Sequence, residues 1–199
     1  MRRLPLLSMA VWIAAAPLAG APARAQRVTH AGRVELAFTI HDRGVAHVTN
    51  LRYALDAELE VGPRRRATLR VRGTLDRSAA FMVPPGGVRD EGRAPLAIDE
   101  THRGTVVQDD RDALVVELDP DARGVSHRWR CARTRERVGD RDRALLRCEG
   151  ATPHTGLPWR DPLPAYLRAP MVLARGGGVR ADVTASQGHA ASVYVAPIP

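Results

Sequence analysis

The chain of 199 residues contains no lysine, only two cysteines and few aromatic side chains. All 30 basic residues are arginine, and the guanidinium group keeps its proton across the ordinary pH range, so the pI of about 10.9 overstates the excess of positive charge. Aromatic residues make up 4% of the chain, too few for the stacking platforms that bind single-stranded nucleic acids. A nucleic-acid partner is therefore not expected.

The motifs of several enzyme classes are also missing. No G-x-S-x-G segment marks a serine nucleophile, and Ser126 and His127 would point to opposite faces of a strand. Ser186 and His189 are close only in sequence. The run Gly176-Gly177-Gly178 lacks the spacing and the following helix of a phosphate-binding loop. These patterns do not favour an enzyme, and no cofactor is predicted.

No apolar run is long enough to cross a membrane as a helix. Two arginines precede an apolar run over residues 6–16, about 11 residues against the roughly 20 that a spanning helix needs. Ala23-Arg24-Ala25 then supplies the small residues of a cleavage site, so residues 1–25 are predicted to be a secretory signal peptide. Its removal would leave residues 26–199 as a single β domain, exported to the periplasm or the cell exterior, without a transmembrane segment.

The predicted mature chain has a modest positive charge. The signal segment carries three arginines and no acid, which leaves 27 arginines against 22 acids and a formal charge of +5. A chain of this length is an ordinary single domain. The charge balance is weak evidence for a polyanion partner.

The chain does contain a symmetric stretch around its two cysteines. If Gly139-Asp140 forms a two-residue turn, Cys131 lies directly opposite Cys148, and glycine suits the first position of a type II′ turn because φ is positive there. The same register sets opposite charges across the strands: Arg137 with Asp142, Glu136 with Arg143, and Arg130 with Glu149. We predict one structural disulfide, since redox-active or metal-binding pairs usually lie closer in sequence.

Alternating apolar and polar residues predict β-strands along most of the chain. Residues 33–41 and 67–75 alternate cleanly. Residues 51–61 also alternate, although three leucines recur there at a four-residue spacing and a Gly-Pro pair follows, as at the end of a helix. We favour a strand over a helix because residues 67–75 would then complete a hairpin.

The remaining segments extend the same pattern. Residues 88–95 are mostly polar and are expected to be exposed, and residues 150–170 carry five prolines and are predicted to be irregular for most of their length. Whether this proline-rich segment is functional is left open. Further short strands are predicted at 105–108, 113–118, 171–174, 179–184 and 190–196. About ten to twelve strands and no long helix predict an all-β fold: an antiparallel β-sandwich or a partly closed β-barrel with one disulfide-stapled hairpin.

Metal-ligating residue types form one tight cluster. His41, Asp42 and His47 are close in sequence, and if Gly44 turns a hairpin, the two histidines could approach each other and be joined by a distant ligand such as His102. The blander interpretation is a group of solvated hairpin residues. These residues are weak metal candidates.

Arginines cluster at Arg64, Arg65 and Arg66 with Arg70 and Arg72, and again at Arg128, Arg130, Arg133, Arg135 and Arg137. If the alternation holds, Arg70 and Arg72 share the outward face of one strand, which could meet an anionic component of the cell envelope. The blander interpretation is a soluble, arginine-biased surface with interspersed acids. Two tryptophans stand out as well: Trp129 is predicted to lie in the core or against the disulfide, whereas for Trp159 the core and a ligand platform are both open.

The leading hypothesis is an exported small β-sandwich that serves as a non-catalytic binding or accessory module of the cell envelope. One alternative is a polyanion or lipid binder that uses the arginine-rich strand faces. A second alternative is a metal-assisted hydrolase that uses the histidine cluster. Three or four polar side chains converging in a deep pocket would count against the leading hypothesis. The sequence names no ligand, partner or oligomeric state.

Overall fold

The computed structural model describes residues 27–42, 47–83, 87–120, 124, 126–150, 165–186 and 192–199. The predicted signal peptide, Trp159 and His189 lie outside the described residues. Within those residues the chain forms ten strands, a 3₁₀ turn at Pro63–Arg65 and one short helix, α1 (Ala165–Arg168). The strands are β1 (Val28–Asp42), β2 (His47–Val61), β3 (Arg66–Val83), β4 (Gly87–Asp109), β5 (Ala113–Leu118), β6 (His127–Val138), β7 (Arg141–Gly150), β8 (Met171–Arg175), β9 (Val179–Ser186) and β10 (Ser192–Pro197).

Strands β1 to β8 each pair antiparallel with the next strand along the chain, and β8 returns to pair with β1. The return contact is short, with His30 opposite Arg175 and Ala31 opposite Ala174, so the sheet is a partly closed barrel. We call the end at which β1 begins the basal end, and the end at which β8 begins the apical end. The predicted all-β class and partly closed barrel are confirmed.

One strand pair departs from the predicted antiparallel arrangement. Beyond its contact with β8, β1 pairs in parallel with β9, from Arg33 opposite Arg180 to Thr39 opposite Ser186. The chain reverses at the turn Gly176–Gly178, where all three glycines have positive φ, and β9 then runs in the same direction as β1. Because β9 takes the edge of β1 that β8 has left, the pair is parallel and the sheet is mixed.

The barrel interior is filled by one face of each strand. In β1 the buried positions include Val34, Leu36 and Phe38, which is the two-residue period of a strand with one face in a core. Trp129 on β6 is fully buried in the same core, as predicted. A second, smaller cluster lies on the outer side of β8, where Val172 and Ala174 pack with residues of β9 and β10. This local second layer gives the barrel a sandwich-like side.

The stapled hairpin forms in the predicted register. Cys131 lies opposite Cys148, the two are bonded, and their Cα atoms are 3.8 Å apart. Gly139 has a φ of +62°, as the predicted turn requires. The predicted pairing of Glu136 with Arg143 is different in one respect: the register is right, but Glu136 accepts instead from Arg147, with Nη2 2.7 Å from Oε1.

Arg143 has a different role because it reaches the glycine turn between β8 and β9. Its Nη1 donates to the carbonyl of Gly178 at 2.8 Å, and its Nη2 donates to that of Gly177 at 2.7 Å. The planar fork of a guanidinium can donate to two acceptors at once, and the adjacent carbonyls of the turn supply them. These two hydrogen bonds connect the stapled hairpin to the glycine turn.

Three further segments can be compared with the sequence-based expectations. Residues 51–61 are a strand, as favoured. Residues 88–93 belong to β4 and pair with β3, the register shifts at residues 94–95, and residues 92–95 are exposed as expected. The proline-rich segment contains α1, whose Tyr166 and Leu167 are buried in the core. Among the described residues, no helix is long and apolar enough to cross a membrane.

A candidate binding cavity at the basal end

A cavity of about 760 Å³ opens at the basal end of the barrel. Its walls come from the first residues of β1 and β5, the last residues of β2, β4 and β8, the central parts of β6 and β7, and the turn between β4 and β5. The residues that line it are Val28, His30, Val61, Asp109, Arg111, Asp112, Leu114, Arg133, Thr134, Arg135, Ala144, Leu145, Leu146 and Arg175.

The stapled hairpin supplies one wall of the cavity. Side chains two residues apart share a face of a strand, so the inward position of Cys131 places Arg133 and Arg135 on the interior side of β6. Arg133 is paired with Leu146 and Arg135 with Ala144, both of which also line the cavity. The disulfide therefore joins the two strands immediately above the part of the hairpin that forms the wall.

The charge of the cavity is positive. Four arginines line it against two aspartates. Arg133 donates to the carboxylate of Asp109, and its backbone N–H donates to the carbonyl of Asp112 at 2.8 Å. Arg111, Arg135 and Arg175 form no ion pair with another described residue, so three guanidinium groups retain their hydrogen-bonding capacity at the mouth.

The turn between β4 and β5 is held in place by Asp110. Its carboxylate accepts from the Gln108 side chain at 2.6 Å and from the backbone N–H groups of Asp112 and Ala113, both at 2.9 Å. The hydrogen bonds from Gln108, Ala113 and Asp112, in that order of effect, hold the pKa of Asp110 below its ordinary value. The carboxylate thus stays ionised and fixes the turn that carries Arg111 into the cavity lining.

His30 is a half-buried histidine in the cavity wall, directly opposite Arg175 in the β1–β8 pair. Burial lowers its pKa first, and the positive charges of Arg133 and Arg175 lower it further. Its Nδ1 atom is buried and has no hydrogen-bond partner among the residues that the structure describes. A neutral imidazole is therefore available here as a further polar group.

The deeper part of the cavity is apolar. Leu114 and Leu146 are 1% and 2% exposed, whereas Arg135 and Arg175 are exposed. Val28 and Val61, both partly buried, add further apolar surface. The arrangement is an apolar base beneath a rim of arginines, which suits a molecule with an apolar body and an anionic group.

Of the two arginine clusters noted in the sequence, the second contributes Arg133 and Arg135 to the basal cavity, and the first lies elsewhere. Arg70 and Arg72 are exposed on the outer face of β3 and line a separate groove of about 370 Å³ that also contains Asp56 and Glu58. The Nε atom of Arg72 is 3.2 Å from the Asp99 carboxylate. Arg64, Arg65 and Arg66 are exposed at the β2–β3 turn and do not reach the basal cavity.

The predicted histidine cluster lies at the apical end of β1 and β2. The backbone register pairs Asp42 with His47, and His41 with Val48. The side chains of His41, Asp42 and His47 lie outside the described part of the structure. The residues that are described contain no group of three or more His, Cys, Asp or Glu that could hold a metal ion.

Sequence reasoning did not identify the basal cavity. The alternation of faces along the stapled hairpin indicates part of the cavity, because Arg133 and Arg135 lie on the same face of β6 as Cys131. The positions of His30 and Arg175 depend on the β1–β8 closure, which no local pattern encodes. Comparisons with protein-family models, with curated proteins and with solved structures find no match. The function of the cavity is therefore inferred from its residues and geometry.

Proposed function

We propose that this protein is an exported, non-catalytic binding module of the cell envelope that holds an amphipathic anion in the basal cavity. One observation carries the proposal: Arg111, Arg135 and Arg175 lack ion-pair partners among the described residues and surround an apolar base. Guanidinium groups bind carboxylates and phosphates through two parallel hydrogen bonds. The anionic group of the ligand would lie at this rim.

The rest of the ligand is apolar. Leu114 and Leu146 at the base, with Val28 and Val61 at the wall, present hydrocarbon surface to a molecule that enters the cavity. Each square ångström of apolar surface removed from water contributes about 25 cal/mol, so a short acyl chain adds measurably to the affinity of its headgroup. Acyl carboxylates are the simplest compounds with both properties.

The chemistry of the lining favours binding over catalysis. Polar side chains do converge here, but half of them are arginines, which keep their proton and cannot act as general acids or bases near neutral pH. Among the lining residues that the structure describes there is one hydroxyl group, that of Thr134, and no thiol. Asp109 is engaged by Arg133. His30, neutral and with no hydrogen-bond partner for Nδ1 among the described residues, suits a hydrogen bond to the ligand.

Two features support export to the envelope. The N-terminal sequence has the charged, apolar and small-residue regions of a signal peptide. The Cys131–Cys148 disulfide is a bond that persists in oxidising compartments. The outer face of β3 is a weaker candidate for anion binding, because Asp56, Glu58 and Asp99 lie beside its arginines.

Calorimetric titration of the mature protein with a matched set of small ligands tests the proposal. Decanoate carries both the charge and the chain, decanol lacks the charge, acetate lacks the chain, and decyltrimethylammonium reverses the charge. We expect decanoate to bind one-to-one and at least about tenfold more tightly than the other three, with an affinity that falls as salt is added. Equal affinity for decanoate and the ammonium compound would contradict the proposal, as would the absence of binding by all four.

A further inference from the structure

A second group of polar side chains lies outside the basal cavity. Glu100 and His102 are on β4, and Tyr166 is on α1, which precedes β8 at the apical end. Pairing between β4 and β5 ends where Gly104 lies opposite Leu118, so above that point β4 is paired with β3 alone among the described strands. Glu100 and His102 project from this part of β4 towards α1.

The three side chains converge on one point. The Tyr166 hydroxyl donates to Glu100 Oε2, and His102 Nε2 is 2.9 Å from Tyr166 Oη and 3.4 Å from Glu100 Oε2. The three atoms therefore form a triangle in which each atom is close to both others. In a simple chain of hydrogen bonds, each group needs to contact only the next one. Three ligand atoms that bind one metal ion, by contrast, all lie close to one another and form such a triangle.

The distances agree with that comparison. Protein nitrogen and oxygen ligands lie about 2.0–2.2 Å from a first-row transition metal, so neighbouring ligands are roughly 2.8–3.6 Å apart in tetrahedral or octahedral geometry. Both contacts of His102 fall in this range. Only the contact between Tyr166 and Glu100 is shorter than this range. The Glu100 side chain is 46% exposed, so its carboxylate has room to move away from Tyr166 when a cation enters.

We propose that Glu100, His102 and Tyr166 form a three-ligand site for a first-row transition-metal cation, and that iron(III) is the best match. A carboxylate and a phenolate are hard oxygen donors that favour a highly charged ion, and imidazole is a common ligand of iron. On binding, the cation takes the place of the Tyr166 hydroxyl proton, which is released to solvent. The carboxylate of Glu100 then ligates the cation instead of accepting that hydrogen bond.

The surroundings of the triad support such a site. Tyr166 is 2% exposed and is held by ring contacts with Tyr53, at a centroid distance of 6.0 Å, while Tyr53 in turn contacts Phe38 at 5.9 Å. The phenol is thereby fixed in position. The His102 side chain is 20% exposed, so the half-open side at Glu100 and His102 gives a cation a path of entry and leaves positions for water or another small ligand. This site is independent of the basal cavity and does not depend on the proposed function.

Iron binding by the mature, untagged protein tests the proposal. The protein is treated with a chelator, supplied with iron(III) as its nitrilotriacetate complex, freed of unbound iron and assayed for metal content and visible absorption. We expect about one equivalent of iron per chain and the visible charge-transfer band of a tyrosinate–iron(III) bond. Tyr166→Phe should abolish the band, and His102→Gln should weaken iron binding by about tenfold or more.

Tyr53→Phe is the matched control, because it removes the neighbouring phenol and leaves the triad intact. It should keep both the band and the iron. Far-UV circular dichroism verifies that each variant is folded, and His102→Gln provides the decisive comparison if Tyr166→Phe does not fold. The proposal would be overturned by a folded wild-type protein that retains no iron, by iron that binds without the band, or by a band that persists in Tyr166→Phe.

Discussion

Gly139 has a φ of +62°, and the turn of the stapled hairpin depends on this conformation. A β-branched side chain strongly disfavours positive φ, whereas asparagine tolerates it. We expect Gly139→Val to lower the free energy of unfolding by about 1–3 kcal/mol, and Gly139→Asn to lower it by less than about 1 kcal/mol. Urea unfolding of the three proteins measures both changes. Equal stability of the valine and asparagine variants would show that the turn does not need a left-handed residue.

His30 is the residue at which pH should affect the basal cavity. Its pKa lies below 6.5 because of burial and then the charges of Arg133 and Arg175, with Asp109 acting in the opposite direction. A bound anion offsets those positive charges, so it should raise the pKa of His30. By linkage, the affinity for the anion should increase as pH falls through the bound-state pKa of His30 and should level off below its free-state pKa.

NMR titration of the histidine ring protons measures this effect. The His30 resonance should titrate below pH 6.5 in the free protein and at higher pH with decanoate bound. The resonances of His102 and His127, which do not line the cavity, should keep their chemical shifts when the ligand is added. A His30 titration that is unchanged by the ligand would place the anion away from this residue.

At the scale of strands, patterns within a hairpin could be predicted and contacts between distant segments could not. The alternation of residues 51–61 and the turn at Gly139-Asp140 are local, and both were predicted correctly from composition and parity. The parallel pairing of β9 with β1 depends on where β8 leaves the edge of β1, a tertiary event. For the same reason, Arg133 and Arg135 could be placed on the inward face of their strand from the sequence, whereas the positions of His30 and Arg175 could not be predicted.

The stapled hairpin also links stability to binding. Replacing both cysteines, as Cys131→Ser with Cys148→Ser, removes a bridge with a sequence separation of 17 and should lower the free energy of unfolding by about 3 kcal/mol. Since Arg133 and Arg135 lie on the stapled strand, decanoate affinity should fall as well. Urea unfolding and calorimetry check the two effects. A reductant should reproduce the loss in the wild type and leave the double variant unchanged, and a double variant as stable as the wild type would contradict this role.

The glycine turn between β8 and β9 should depend on Arg143. Removing its two hydrogen bonds to Gly177 and Gly178, as in Arg143→Gln, should lower stability by about 1–2 kcal/mol and speed amide exchange at the start of β9. Arg141→Gln, at the exposed hairpin turn of the same strand, is the matched control. Hydrogen exchange followed by mass spectrometry measures the exchange rate at the turn. Equal exchange rates in the two variants would show that the hydrogen bonds of Arg143 do not stabilise the turn.

At the scale of the whole molecule, the partly closed barrel separates two polar regions. Fully buried side chains, among them Trp129, Leu59 and Leu173, occupy the interior between the basal cavity and the apical triad of Glu100, His102 and Tyr166. These side chains close the inner end of the basal cavity, which therefore has an apolar base and opens at the end of the barrel. Four arginines and two aspartates line the basal cavity, whereas Arg70 and Arg72 on the outer face of β3 share their groove with Asp56 and Glu58.

The most direct test of the binding proposal compares two charge-matched double variants. Arg135→Gln with Arg175→Gln removes two positive charges from the cavity rim, and Arg70→Gln with Arg72→Gln removes the same charge from the outer face of β3. Calorimetry with decanoate should show a loss of affinity of about 100-fold or more in the rim variant and less than about threefold in the outer-face variant. Equal losses in the two variants, or a rim variant that binds decanoate as tightly as the wild type, would contradict an anion site in the basal cavity.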